Sequence, residues 1–482
     1  MDSGIWPRLR RRYLGDKAFY GAVLTLIVPV IIQNGISNFV NLLDNLMVGA
    51  VNESQMNGVS ICNNLVFVFN LCIFGGMSGA TIFGAQYYGA GDENGVRYSF
   101  RFSMIVGAVV SVLALAVFAV FGSSLIRLWI HPKTFEDAAR QAEELRKAAD
   151  SAKAAREYLH IVLIGLVPFA VSNAYAGILR VTGETRLPMV ASIAGVLTNL
   201  CLNYILINGV GTIIPPMYAR GAAIATVISR YVEMLISVVV SHERAASDAR
   251  YRFLQEAYSD FRIPKALFTK ITVKTLPLLM NECLWSLGMT MLSSLYSFRG
   301  ITVVNANTIT STITNLFNVV FVSMGTATSV MVGRSLGASD WEGAKDNARK
   351  IIVFEEFICV GTCLLLLALG GVLPLIYKAS APESKELAAR LIRVSGLTLP
   401  LSGFAHCTYF TLRAGGKTFI TFLFDSVYTW IFPVPLAYAL IHFTGANIVL
   451  IYFLCNSMEL FKDILGYILL KKGMWIHNIV ED

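Results

Sequence analysis

Asp44 stands in a run that is otherwise apolar or neutral from about Ala18 to Asn52. A charged side chain at membrane depth is expensive, so a chain keeps one there to hold a cation, carry a proton or meet a partner. Asn41 lies three residues earlier, on the same helical face. Asn199 and Asn203 are four apart and share a face, and their amide oxygens can ligate a cation but cannot titrate. In the second half of the chain, "PLLMNECLWSLG" carries Asn281 and Glu282, and "FLFDSVYTWIF" carries Asp425. His406 lies in "LSGFAHCTYFTLR" and titrates near neutral pH, although a lone histidine in an apolar helix is more often a packing residue. Arg230 and Glu233, three apart, are expected to form a structural charge pair. Glu355 and Glu356 fall within about two helical turns of the end of an apolar run, where they are expected to reach the interface.

These residues need elements to carry them into a membrane. Of 482 residues, 55% are hydrophobic and 15% charged, against about 25% charged in a soluble domain. Stretches near the length of helix that crosses a bilayer fall at 20–49, 57–84, 101–130, 158–179, 188–208, 220–240, 268–297, 302–331, 351–377, 391–412, 418–441 and 446–470. The expected fold is an all-α integral membrane protein with twelve transmembrane helices. Sorted by connecting loop, about 25 of the 39 Lys and Arg residues share a side with both termini, which makes that side cytoplasmic. The opening "PRLRRRYLGDKAF" is basic and polar, and the first apolar run is too long for the core of a cleavable signal peptide. All eight cysteines fall in apolar runs and read as packing residues, not a disulfide framework. The net charge of +8 is spread over loops, so no nucleic-acid partner is expected.

The two halves of the chain are copies. A shift of 248 residues brings Pro29 onto Pro277, Asn57 onto Asn305 and "YGAGDENGVRYSFR" (88–101) onto "LGASDWEGAKDNAR" (336–349). Further on the shift is about 232, and "VPF...GILRVTGETR" (167–186) meets "LPL...FTLRAGGKT" (399–418). Six spans per half is even, so the two six-helix lobes should be related by a pseudo-two-fold axis along the membrane normal. The expected organisation is one lobe at 1–240, a cytoplasmic linker at 241–267 and a second lobe at 268–482. The change of shift leaves about 16 extra residues in the first half, within 133–157. That stretch is rich in helix formers and is expected to be a dispensable helix on the outer side, natural or engineered.

The "YYGAGD" and "SLGASD" loops resemble those of the multidrug and toxic compound extrusion (MATE) transporters. So do "NFVNLLDNLMVG", "LTNLCLNYILI", "ARGAAIATVISR" and the pair "LRVTGET"/"LRAGGKT". The resemblance covers nearly the whole chain apart from 133–157. It implies two lobes around a central cleft, and export of amphipathic, often cationic compounds against inward Na⁺ or H⁺. Asp44 matches the family's first-helix aspartate, which binds the coupling ion. One branch of the family has Asn-x₃-Asp where this chain has Asn199 and Asn203, so a cation site of Asp44, Asn199 and Asn203 is expected in place of a two-carboxylate relay. Other branches carry a glutamate on the seventh helix in a different register from Glu282. The family's acid on the tenth helix is missing, with Ser402 near that position and His406 close by.

The expected function is a secondary active multidrug exporter working by alternating access, monomeric, in the bacterial cytoplasmic membrane. No cofactor is implied, and no metal beyond Na⁺ at Asp44, Asn199 and Asn203. A flippase for lipid-linked saccharides or peptidoglycan precursors is the alternative. It would want a more basic cleft, whereas the intramembrane charges read here are mainly acidic. A membrane-embedded transferase is the third reading, but neither an Asp-rich diphosphate motif nor a His/Asp acyl-transfer pattern is evident, so the chain is not expected to be an enzyme. "GGKT" (415–418) imitates a phosphate-binding loop, but the full pattern needs glycine where Thr411 stands.

Overall fold

The computed structural model describes residues 12–49, 53–127, 138–209, 215–377 and 381–481, and within them the regular structure is helical. The helices are α1 Lys17–Gly49, α2 Glu53–Gly89, α3 Glu93–Arg127, α4 Ala138–Val181 with a 3₁₀ turn at Leu163–Gly165, α5 Arg186–Asn208 and α6 Tyr218–Arg244. They continue with α7 Lys265–Ser297, α8 Ile301–Gly337, α9 Trp341–Leu369 and α10 Pro382–Ala414. The last two are interrupted. α11 spans Thr418–Phe443 with a π-helical turn at Leu423–Val427, and α12 consists of Ile448–Ser457 and Glu459–Lys471. One helix answers each of the twelve expected spans. Large apolar side chains such as Val112, Val120 and Leu364 are more than half exposed, as lipid-facing residues are.

Among the described residues, nine helical stretches are long and apolar enough by composition to cross a membrane. The three that fall short are α7, α10 and the broken α12. α7 carries Asn281 and Glu282, α10 is rich in Ser, Thr and Gly and carries His406 and Arg413, and α12 is broken into helices of 10 and 13 residues.

The chain divides into two compact units. One is formed by the described residues of 1–31, 78–96 and 264–482, the other by 32–77 and 97–263. In the second unit the segment after α6 is a packed strap. Tyr251, Phe253, Leu254 and Ala257 are buried, and the Arg101 guanidinium donates to the carbonyls of Glu256 (2.7 Å), Ala257 (2.9 Å) and Arg262 (3.1 Å). Arg250 bridges Glu184 and Asp248, both at 2.6 Å, and its hydrogen bond holds the Asp248 carboxyl below the usual aspartate range. The extra segment is helical from Ala138 onward. Its last turns are not a free appendage, because Ser151, Ala154 and Ala155 are buried and the Ala155 carbonyl accepts from the Cys62 thiol at 2.9 Å. Deleting those turns would open this packing.

The repeat is visible in local geometry. Asp92 accepts from the Gly95 N–H at 3.0 Å, and its counterpart Asp340 accepts from Gly343 at 2.9 Å. Each side-chain cap satisfies an orphan donor at a helix start. The turns before them need a left-handed residue, supplied by Gly91 (φ +75°) in one copy and by Ser339 (φ +55°) in the other. α2 and α8 cross at glycines. A Cβ on Gly89 would sit 2.0 Å from the Arg334 carbonyl oxygen, and one on Gly337 would sit 1.8 Å from that of Gln86. The 248-residue shift carries Gly89 to Gly337 and Gln86 to Arg334, so the crossing maps onto itself.

Because the obstacle is backbone, Gly89→Val and Gly337→Val should each cost more than about 3 kcal/mol. The measurement is thermal unfolding in detergent together with the yield of monodisperse protein. Gly21→Ala, with nothing within 4 Å of the new Cβ, should stay within about 1 kcal/mol of the parent or stabilise it. Equal tolerance of all three substitutions would disprove the close crossing.

Candidate coupling and substrate-binding sites

Asn281 is the hub of the charged network in the first unit. It is buried on α7, four residues beyond Pro277. Its Nδ2 donates to Asp425 Oδ2 at 3.0 Å and to the Tyr409 hydroxyl at 3.2 Å. Its Oδ1 and backbone carbonyl each accept from the Ser426 hydroxyl at 2.7 Å. Asp425 sits in the π-helical turn of α11, a local widening that often marks functional sites. Its other oxygen, Oδ1, faces the Lys462 ammonium at 2.9 Å, and that ammonium is also 3.5 Å from Glu459. Lys462 is 6% exposed. Burial of this kind requires partners on every side. The ring of Phe424 supplies a further one, with the ammonium 5.4 Å from its centroid.

Broken helices aim these groups. At the interruption of α12 the Met458 carbonyl accepts from both the Tyr428 hydroxyl at 2.6 Å and the Phe461 N–H at 3.0 Å, and the next turn presents Glu459 and Lys462. Glu282, half-buried on α7, lies beside the Tyr409 hydroxyl, in the fields of Arg413 and Asp425. Arg413 itself is 3% exposed and donates to the Tyr409 hydroxyl at 3.4 Å. Asn281, Glu282 and Asp425 thus belong to one network. His406 belongs to another, facing Glu355 of α9 at 3.6 Å. Glu355 does not reach the interface as expected. It is fully buried, because α10 packs over it and its Oε2 accepts from the Cys407 thiol.

In the second unit Asn199 and Asn203 are both buried on α5. Asn203 Nδ2 donates to Asn199 Oδ1 at 2.9 Å, and Asn199 Nδ2 to the Thr226 hydroxyl of α6 at 3.3 Å. Arg230 and Glu233 meet at 3.2 Å, with the guanidinium over the Phe169 ring at 4.8 Å. Arg180 donates to Gln33 at 2.7 Å. Asn41 and Asp44 are on helix α1, and their side chains fall outside the described residues.

Sequence reasoning missed Lys462, Glu459 and Asp463. The signal was present in "SMELFKDILG", where three charged residues occupy little more than one turn inside the twelfth span. The reading of mainly acidic intramembrane charge is corrected by the buried Lys462 and Arg413.

Twelve helices built from two six-helix copies, with compensated charges buried in the least apolar of them, define a multi-pass membrane transporter. The chain belongs to the MatE family, the multidrug and toxic compound extrusion transporters, whose model matches residues 29–205 and 277–439. It is 21% identical over 453 residues to the probable multidrug resistance protein NorM of Thermotoga maritima, covering 94% of this chain and 92% of that one. It is 26% identical over 325 residues to the multidrug resistance protein MdtK of Pectobacterium atrosepticum, covering 67% and 65%. Among solved structures, an outward-facing multidrug resistance MATE transporter superposes with a TM-score of 0.79 at 18% identity, over 96% of this chain and 98% of that one. A MOP superfamily transporter from Pyrococcus furiosus, whose reverse polarity of binding pocket suggests a different function, gives 0.79 at 21% identity with the same coverage.

Breaking the Asp425–Lys462 pair from one side leaves a charge buried alone. Lys462→Met should therefore lower stability by about 3 kcal/mol. The double variant Asp425→Asn/Lys462→Met should recover at least half of that loss in a thermal or denaturant unfolding series. Additive losses in the double variant would rule out direct coupling.

Proposed function

We propose that the chain is a secondary active exporter of amphipathic or cationic compounds, driven by inward Na⁺ or H⁺ through alternating access. It acts as a monomer in the bacterial cytoplasmic membrane, with both termini cytoplasmic and its two six-helix lobes, 1–240 and 268–482, related about the membrane normal. The observation that carries this reading is the Asn281–Asp425–Lys462 network, buried ionisable groups on interrupted helices in a transporter fold. Ionisable groups buried in a membrane-spanning fold mark substrate and ion pathways, and this network supports that reading beside its part in the packing. The names of the relatives NorM and MdtK supply the substrate class.

The division of labour follows from the donors. Asn199, Asn203 and Thr226 offer oxygens, which suit a hard cation such as Na⁺. Asp44 is assigned the negative charge of that site, with Asn41 on its helical face. A cation there competes with the Asn203–Asn199 hydrogen bond for the Asn199 oxygen. In the other network Lys462 already supplies Asp425 with a positive charge. A bound Na⁺ would have to displace it, so this region is assigned to substrate and to Glu282. A cationic compound can take the place of the ammonium against Asp425, beside the Phe424 ring that now faces it.

The flippase reading is the runner-up, favoured by one observation: Arg413 and Lys462 are buried cations of the kind that would meet phosphate. Binding of ethidium or norfloxacin by detergent-purified protein separates the two readings.

Asp44→Asn should fold and insert, because it removes a buried charge, while ethidium efflux from proteoliposomes under an imposed Na⁺ or H⁺ gradient should fall at least ~10-fold. Efflux at the parental rate under both gradients would make the carboxylate structural and sink the coupling assignment.

A further inference from the structure

We propose that Glu355 and His406 form a proton-binding pair, separate from the Asp425–Lys462 network. Glu355 of α9 is 0% exposed. Its Oε2 accepts from the Cys407 thiol. Its Oε1 makes no hydrogen bond and lies 3.6 Å from His406 Nδ1, which is buried and makes none either. The imidazole is held in place by Phe410 at 4.7 Å and Phe321 at 6.2 Å between ring centroids. Two unsatisfied atoms, one on an acid and one on a base, therefore face each other across 3.6 Å.

A single proton between them satisfies both. The pair is then neutral overall, either as carboxylic acid with imidazole or as carboxylate with imidazolium. Remove the proton and a carboxylate is left beside a neutral ring with no cation to answer it, which a low-dielectric interior disfavours strongly. Among the described residues His406 is the one ion-pair partner of Glu355.

The surroundings specify a proton over a metal cation. α9 adds Glu356, whose Oε1 is also buried without a hydrogen bond, and Cys359. α12 adds Asp463, whose Oδ1 is in the same condition and which feels the charge of Glu356. α10 adds Cys407, and α8 the Thr328 hydroxyl, 3.9 Å from the Cys407 sulfur. From α1 the cluster around Cys407 receives Val23, Leu26 and Ile27, all apolar. Although Glu356 and Asp463 add carboxylates, among the described residues no group of three or more His, Cys, Asp or Glu side chains is placed to hold a metal ion, and the immediate neighbours of the Glu355 carboxylate are sulfur and imidazole, a poor cage for Na⁺, which prefers several oxygens. A proton needs only the pair. Its loss or gain changes the charge at the packed α9–α10 boundary, so protonation is linked to how tightly those helices close. That last step rests on the reading of the chain as an ion-driven exporter, while proton binding itself does not.

The first test is a pH-difference infrared spectrum of the purified full-length chain. A carboxylic C=O band and an imidazole band should change together as the pair gains or loses its proton. Glu355→Gln should delete the carboxyl band and move the imidazole titration, and His406→Gln should move the carboxyl band. An unchanged carboxyl band in Glu355→Gln, or an imidazole titration indifferent to that substitution, overturns the pair. The second test compares ethidium exchange without a gradient and ethidium accumulation driven by a pH gradient in proteoliposomes. Glu355→Gln should keep exchange within about twofold and lose pH-driven accumulation at least ~10-fold. Undiminished pH-driven accumulation removes the pair from coupling. Absence of exchange in the parent protein would instead count against the exporter reading, leaving the infrared result to decide the pair.

Discussion

The ammonium of Lys462, held between Asp425 and Glu459 at 2.9 and 3.5 Å, is the contact around which the C-terminal helices are arranged. A charge inside a membrane-spanning fold must be answered within hydrogen-bonding distance, because no water or distant ion can do it. Answering it takes three elements at once. α11 opens into a π-helical turn that carries Asp425, α12 breaks after Ser457, and α7 sends in Asn281 to occupy the second carboxylate oxygen. The Tyr428 hydroxyl then adds a second donor, beside the Phe461 N–H, to the Met458 carbonyl at the break. α12 falls short of a continuous span because of that break, its first piece being strongly apolar, and on α7 the network residues Asn281 and Glu282 interrupt the apolar run.

The two copies solve one packing problem with different chemistry. The 248-residue shift places Gln33 on Asn281, and the closing "LR" of the later motif places Arg180 on Arg413. In the first copy Arg180 bonds Gln33 directly at 2.7 Å, a cation on a neutral amide. In the second, Tyr409 is interposed between Arg413 and Asn281, and Glu282 and Asp425 join. The shared framework is an arginine in the last turn of the fourth helix of each copy, linked to the first helix directly or through Tyr409. Titratable groups are concentrated on the second copy's version of it.

Much of the architecture was legible before any coordinates. Lipid enforces long apolar runs, and Gly91, Gly183, Asp92 and Asp340 mark their turns by backbone conformation and capping, so spans, loops and the internal repeat could be read directly. Asn281 and Asp425 could be named as buried polar residues, but 144 positions separate them, and their hydrogen bond depends on how α7 and α11 pack. Lys462 was overlooked because a long apolar run absorbs three charges without losing its identity as a span. Glu355 was misplaced for a related reason. Distance along a helix from its end says how near a residue is to water only if no other helix covers it, and α10 covers this one.

The glycine crossing of α2 and α8 bears on ancestry. Gly89 lies against residue 334 and Gly337 against residue 86, and the repeat shift exchanges the two halves of the contact. Such an arrangement is isologous, the form taken when two identical subunits meet across a two-fold axis. A gene half this length could have made the contact with a second copy of its own product, with no substitution needed. Fusion would then have preserved an interface that already existed, and released the two copies to drift apart elsewhere, as the Gln33 and Asn281 positions have done.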